Sequence, residues 1–78
     1  METVYLKSKK GNKTFVKITN KNVIELWVDR IKWDDLDNSI QTEKQWHIEN
    51  YNMEVCTRDE FNEFHMQLAN EINEILIN

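Results

Sequence analysis

Apolar and polar positions alternate through the first 29 residues. Val4 and Leu6, Val16 and Ile18, and Ile24 and Leu26 each stand two apart in three short runs divided by polar turn formers. That is the period of strands with one face buried. The loops between the runs let the register be tested. If Lys10, Gly11 and Asn12 form a three-residue hairpin loop, Val4 faces Ile18 and Leu6 faces Val16, whereas a two-residue Gly11-Asn12 turn sets Leu6 opposite Lys17. A second three-residue loop at Asn20, Lys21 and Asn22 pairs Ile18 with Ile24 and Val16 with Leu26 on the same apolar face. It also pairs Lys17 with Glu25, Phe15 with Trp27 and Lys13 with Asp29 on the other. Core, charge and aromatic pairs agree, as cross-strand neighbours should, so the pattern predicts a three-stranded meander over about 3–9, 13–19 and 23–29. The competing reading makes Asn22 to Trp33 a helix, since Asn22 and Glu25 have cap spacing, but Val23, Ile24, Trp27 and Val28 favour a strand.

Beyond Asp29 the apolar parity moves to Ile31 and Trp33, where a bulge or a strand end is expected. Asp34 to Thr42 reads as an acidic loop. Lys44 to Tyr51 reads as a fourth strand with Trp46 and Ile48 inward.

From Thr57 onwards the period changes. Thr57 and Glu60 have capping-box spacing, and Phe61, Phe64, His65, Leu68, Ala69, Ile72, Ile75 and Leu76 fall on one stripe of a helix. Met66 lies off that stripe. Glu60, Glu63, Glu71 and Glu74 step along the outer side with no lysine among them. The expected fold is therefore α+β in a single domain, 1–78. An antiparallel meander of three to four strands, with the last over about 44–51, carries one C-terminal amphipathic helix, about 58–76, on its apolar face. Such a helix outruns strands of six residues, so Ile75, Leu76 and Ile77 are expected to overhang the sheet and to invite a second copy or a partner.

Composition adds two constraints. A single cysteine, Cys56, excludes an intrachain disulfide, and no apolar stretch has the length of a signal peptide or membrane span, so a cytoplasmic chain without membrane contact is expected. The net charge of −4 is unevenly divided: residues 1–33 carry eight basic and three acidic side chains, and residues 34–78 two basic and eleven acidic. The halves are fitted to attract each other or to offer surfaces of opposite sign.

Candidate chemistry is sparse. His47, Cys56, His65 and the carboxylates form no CxxC, HExxH or i, i+4 histidine pair, and the one glycine sits in a hairpin rather than a phosphate-binding loop. Cys56, just before a helix start, is read as an inert thiol and His65 as a histidine at the rim of the core. The sequence thus predicts no enzyme, no catalytic residue, no metal and no cofactor. The expected role is a non-catalytic protein-binding module whose acidic face, Glu60, Glu63, Glu71 and Glu74 with Asp34, Asp35 and Asp37, docks on a partner with a basic, nucleic-acid-binding surface. Length, acidity and an AT-rich residue usage are similar in general character to small phage-encoded inhibitors of host nucleases. The alternative is a nucleic-acid-binding domain using Tyr5, Lys7, Phe15, Lys17 and Trp27 on one sheet face, where aromatics stack bases and lysines neutralise phosphates. A structural homodimer or homo-oligomeric subunit is the third reading.

Overall fold

The computed structural model of the chain describes residues 2–10 and 14–77, with side chains as far as Ile72. Its elements are β1 (Val4–Ser8), β2 (Phe15–Ile18), β3 (Asn22–Trp27), β4 (Arg30–Asp35), α1 (Ile40–Tyr51), β5 (Met53–Val55) and α2 (Arg58–Ile77). The five strands form one antiparallel sheet in the order β4-β3-β2-β1-β5. The α+β class and the meander of the first three strands are as expected. The fourth strand follows directly after a two-residue turn at Val28 and Asp29, so Arg30 to Asp35 is ladder rather than bulge and loop.

The first hairpin has the expected register, with Val4 opposite Ile18 and Leu6 opposite Val16. Residues 11–13 lie outside the described chain, and with them the proposed Gly11 and Asn12 loop positions and the Lys13–Asp29 pair. The second hairpin differs by one residue. Ile18 faces Val23, Lys17 faces Ile24, Val16 faces Glu25 and Phe15 faces Leu26, so the expected Ile18–Ile24, Val16–Leu26, Lys17–Glu25 and Phe15–Trp27 pairs do not form. The cause is local. Thr19 N–H donates to the Asn22 carbonyl at 2.9 Å, while the Thr19 hydroxyl accepts from Lys21 N at 3.2 Å and Asn22 N at 3.0 Å. This latch closes the strands over two residues, Asn20 and Lys21, where three had been expected.

A slip of one residue sends every β3 side chain to the other face. Val23 therefore joins Val4, Leu6, Val16, Ile18 and Met53 in one core cluster, against which Leu36, Ile40 and Ile48 pack. Ile24 and Leu26 join Phe61 and Leu68 in a second cluster, flanked by Tyr5, Phe15, Ile31, Phe64 and Ile72. The sheet is covered on both faces, by α1 on the first cluster and by α2 on the second. The C-terminal helix thus packs on the face opposite the one expected for it.

Two local features explain the helices. Helix α1 replaces the expected strand at 44–51: Ser39 is extended (φ −70°, ψ 157°) and its Oγ accepts from Thr42 N at 3.1 Å, which starts the helix. Asn52 then ends it in the left-handed region at φ 52°. In this helix His47 is the buried residue and Trp46 is exposed, the reverse of the strand reading. For α2 the capping box forms as expected, Glu60 N–H donating to Thr57 Oγ1 at 3.1 Å and Thr57 N–H to Glu60 Oε1 at 3.2 Å. Phe61 and Leu68 are buried and Met66 is exposed, as the stripe requires. The side chains of Glu74, Ile75, Leu76 and Ile77 lie outside the described residues, and so does the expected overhang.

Candidate functional site

Because β3 turns Glu25 towards α1, a carboxylate enters the floor of the first core face. Glu25 is only 7% exposed and His47, on the inner face of α1, 2%. His47 Nε2 stands 3.9 Å from Glu25 Oε1, and Nδ1 is 2.9 Å from the backbone oxygen of Glu43. A carbonyl oxygen can only accept, so Nδ1 carries the proton in that bond. The side chain of Glu43 lies 3.4 Å from the same nitrogen. Nε2 is buried without a hydrogen-bond partner among the described residues.

These two residues open into a groove of about 460 Å³ between β3, β4 and α1. Its acidic lining is Glu25, Asp34, Asp35, Asp37 and Glu43, and among the described residues Lys32 is the one lysine on its wall. Lys32 lies opposite Glu25 in the ladder, yet its ammonium is directed to Asp34 Oδ2 at 3.7 Å. Trp46 and Tyr51, 5.2 Å apart edge to face, form an aromatic wall. Among the described residues no three His, Cys, Asp or Glu side chains are grouped to hold a metal ion.

The two parts of the expected acidic face are separated. Asp34, Asp35 and Asp37 line the groove on the α1 side, whereas Glu63 and Glu71 are exposed on α2, across the sheet. Glu60 leaves the acidic line altogether. Its Oε2 accepts from Lys7 Nζ at 2.7 Å, and Glu54 approaches the same ammonium at 3.9 Å. The hydrogen bond from Lys7 holds the Glu60 carboxyl below its ordinary range, and the same bond raises Lys7.

The aromatic and lysine face is dispersed as well. Tyr5 and Phe15 lie beneath α2, Tyr5 at 5.5 Å from the Phe61 ring and Phe15 stacked on Phe64 at 4.8 Å. Lys17 caps the Tyr5 ring at 5.9 Å. Trp27 is on the opposite face, 6.2 Å from Tyr51 and covered by the Arg30 guanidinium at 5.3 Å. The register slip is the reason, since it removes Trp27 from Phe15 and leaves the α2 helix to cover the rest.

Of the other candidates, Cys56 is partly buried, and burial first, with the nearby Glu60 charge second, pushes its thiol up to about 11. Helix start or not, this thiol is protonated at neutral pH. His65 packs edge-on to Phe61 at 6.0 Å, at the rim of the second cluster.

Sequence reasoning missed Glu25, Glu43, His47, Trp46 and Tyr51 as one site. A signal existed: Glu25 is a charge set within Val23, Ile24, Leu26 and Trp27, a run suited to a strand buried on both faces, where a carboxylate needs a partner. No helix among the described residues is long and apolar enough to cross a membrane. Comparison with protein-family models, with curated proteins and with solved structures finds no match in any of the three.

Proposed function

We propose that the protein is a non-catalytic binding module that uses its acidic groove to dock on a basic surface of a protein partner. The observation that carries this reading is the gathering of five carboxylates from β3, β4, the following loop and α1 around one concavity with, among the described residues, a single lysine. Placing like charges together costs stability unless something of opposite sign meets them. Asp34, Asp35 and Asp37 are exposed and outside the core clusters, so folding does not require their charge. A charged groove of this kind steers encounter and fixes orientation more than it supplies raw affinity. Two aromatic rings on its wall add the apolar, hydrogen-bonding surface common in protein interfaces.

The test is affinity capture from the source cell with the wild-type chain and with a variant carrying Asp34→Lys, Asp35→Lys and Asp37→Lys. A basic protein retained by the wild type, lost from the variant and released steeply as salt rises supports the reading. Equal retention by both chains, or retention insensitive to salt, removes it.

A further inference from the structure

Resting on that docking role, we infer that the groove is an arginine pocket: it receives the guanidinium of one arginine side chain from the partner, with Glu25 and His47 Nε2 as acceptors at its floor.

His47 donates through Nδ1 to the Glu43 carbonyl, so in the neutral ring Nε2 offers a lone pair. At 3.9 Å, Nε2 and the Glu25 carboxylate are too far apart to be hydrogen-bonded to each other. Nε2 is buried with no donor among the described residues reaching it, and a buried acceptor left unfilled is unfavourable. Such a pair calls for a donor placed between them. N–H groups of one planar guanidinium can serve both acceptors at ordinary lengths of about 2.9 Å.

The walls select the same cation. Asp34 and Glu43 supply negative charge above the floor, and Trp46 and Tyr51 give flat faces. Guanidinium is planar, weakly hydrated and stacks on aromatic rings, whereas ammonium is a strongly hydrated point charge. The chain already makes one such contact, Arg30 over Trp27. Lys32 is the internal cation that a guest would displace from Asp34.

The experiment uses the full chain labelled with ¹⁵N, titrated with N-acetyl-arginine methylamide, with the lysine equivalent, and with sodium chloride at matched ionic strength. The arginine probe should give saturable shifts at the His47 Nε2 resonance and at the amides of Glu25, Asp34 and Glu43. The lysine probe should bind at least five-fold more weakly. Glu25→Gln and His47→Phe should each weaken arginine binding ten-fold or more, and Lys32→Gln should strengthen it. Because the two floor substitutions are buried, Trp46→Ala serves as an exposed variant that should also weaken binding while the amide spectrum stays folded. Shifts equal to those of salt, lysine binding as tight as arginine, or shifts that bypass the groove overturn the inference. If a basic partner is captured, and lost on reversing the three aspartates, yet holds equally well to Glu25→Gln, the docking role stands and the arginine pocket does not.

Discussion

Cys56 and Glu60 sit side by side at the entry to α2 and respond oppositely to their surroundings. Burial and the carboxylate beside it hold the Cys56 thiol protonated, with its ionisation pushed from an ordinary 9.0 to about 11. At pH 8 the thiolate fraction is therefore lower by about 100-fold than for an ordinary cysteine, since each ten-fold step is one pH unit. Alkylation by iodoacetamide should be slower by a similar factor, and a rate matching free cysteine would show that the thiol is not shielded. Glu60 is held low by Lys7 and by the Thr57 cap. A carboxylate lowered on folding contributes stability that is present above its unfolded value and is lost as pH falls through its folded value. Glu60→Gln keeps the capping geometry and removes the charge. Its denaturation midpoint should lie below wild type at pH 6 and approach it at pH 3, and the effect should be modest because the pair is solvent-exposed. A constant difference across that range would assign the effect to packing instead.

Each helix holds to its own face of the sheet, so the two can be tested separately. Leu68 is 2% exposed in the second cluster, and Leu68→Ala should cost about 2–5 kcal/mol in chemical denaturation. Met66, 69% exposed on the same helix, should tolerate alanine within about 0.5 kcal/mol. Equal midpoints for the two variants would mean that α2 is not docked through the Phe61 and Leu68 stripe. For α1, loss of the Ser39 hydroxyl in Ser39→Ala should cost about 1 kcal/mol. The capping box of α2 was legible because Thr57 and Glu60 bond to each other within one turn. Helix α1 was not, since its inner face carries His47 between Ile40 and Ile48, and a polar residue there breaks the apolar stripe while Trp46 and Ile48 imitate a strand. Its cap residue and its run of Gln41, Glu43, Lys44 and Gln45, all good helix formers, were the better guide.

Over the whole molecule, the uneven charge acquires an address. Lys7 of the basic half binds Glu60 and Glu54 of the acidic half, while Asp34, Asp35, Asp37 and Glu43 gather with Glu25 at one groove. A partner that meets the groove should associate more slowly as salt rises through the range where screening lengths fall from about 30 Å to 8 Å, and reversal of Glu63 and Glu71 on the far side should change this little. A loss of binding on reversing those two would move the interface to α2. Much of the architecture was legible from neighbours in the chain: the register of the first hairpin, the cap and stripe of α2, the lone thiol and the division of charge. The first two depend on spacing within one hairpin or one helix, and the last two on composition alone. What the local pattern could not supply was the face on which β3 lies. Apolar residues stand at both parities, Val23 and Trp27 on one and Ile24 and Leu26 on the other, and satisfy either register as long as one face is thought to be bare. The Thr19 latch chooses between them, and only the arrival of α1 on one face and α2 on the other makes that choice favourable. The groove follows from the same choice, because Glu25 and His47 meet only when the distant helix closes over the shifted strand.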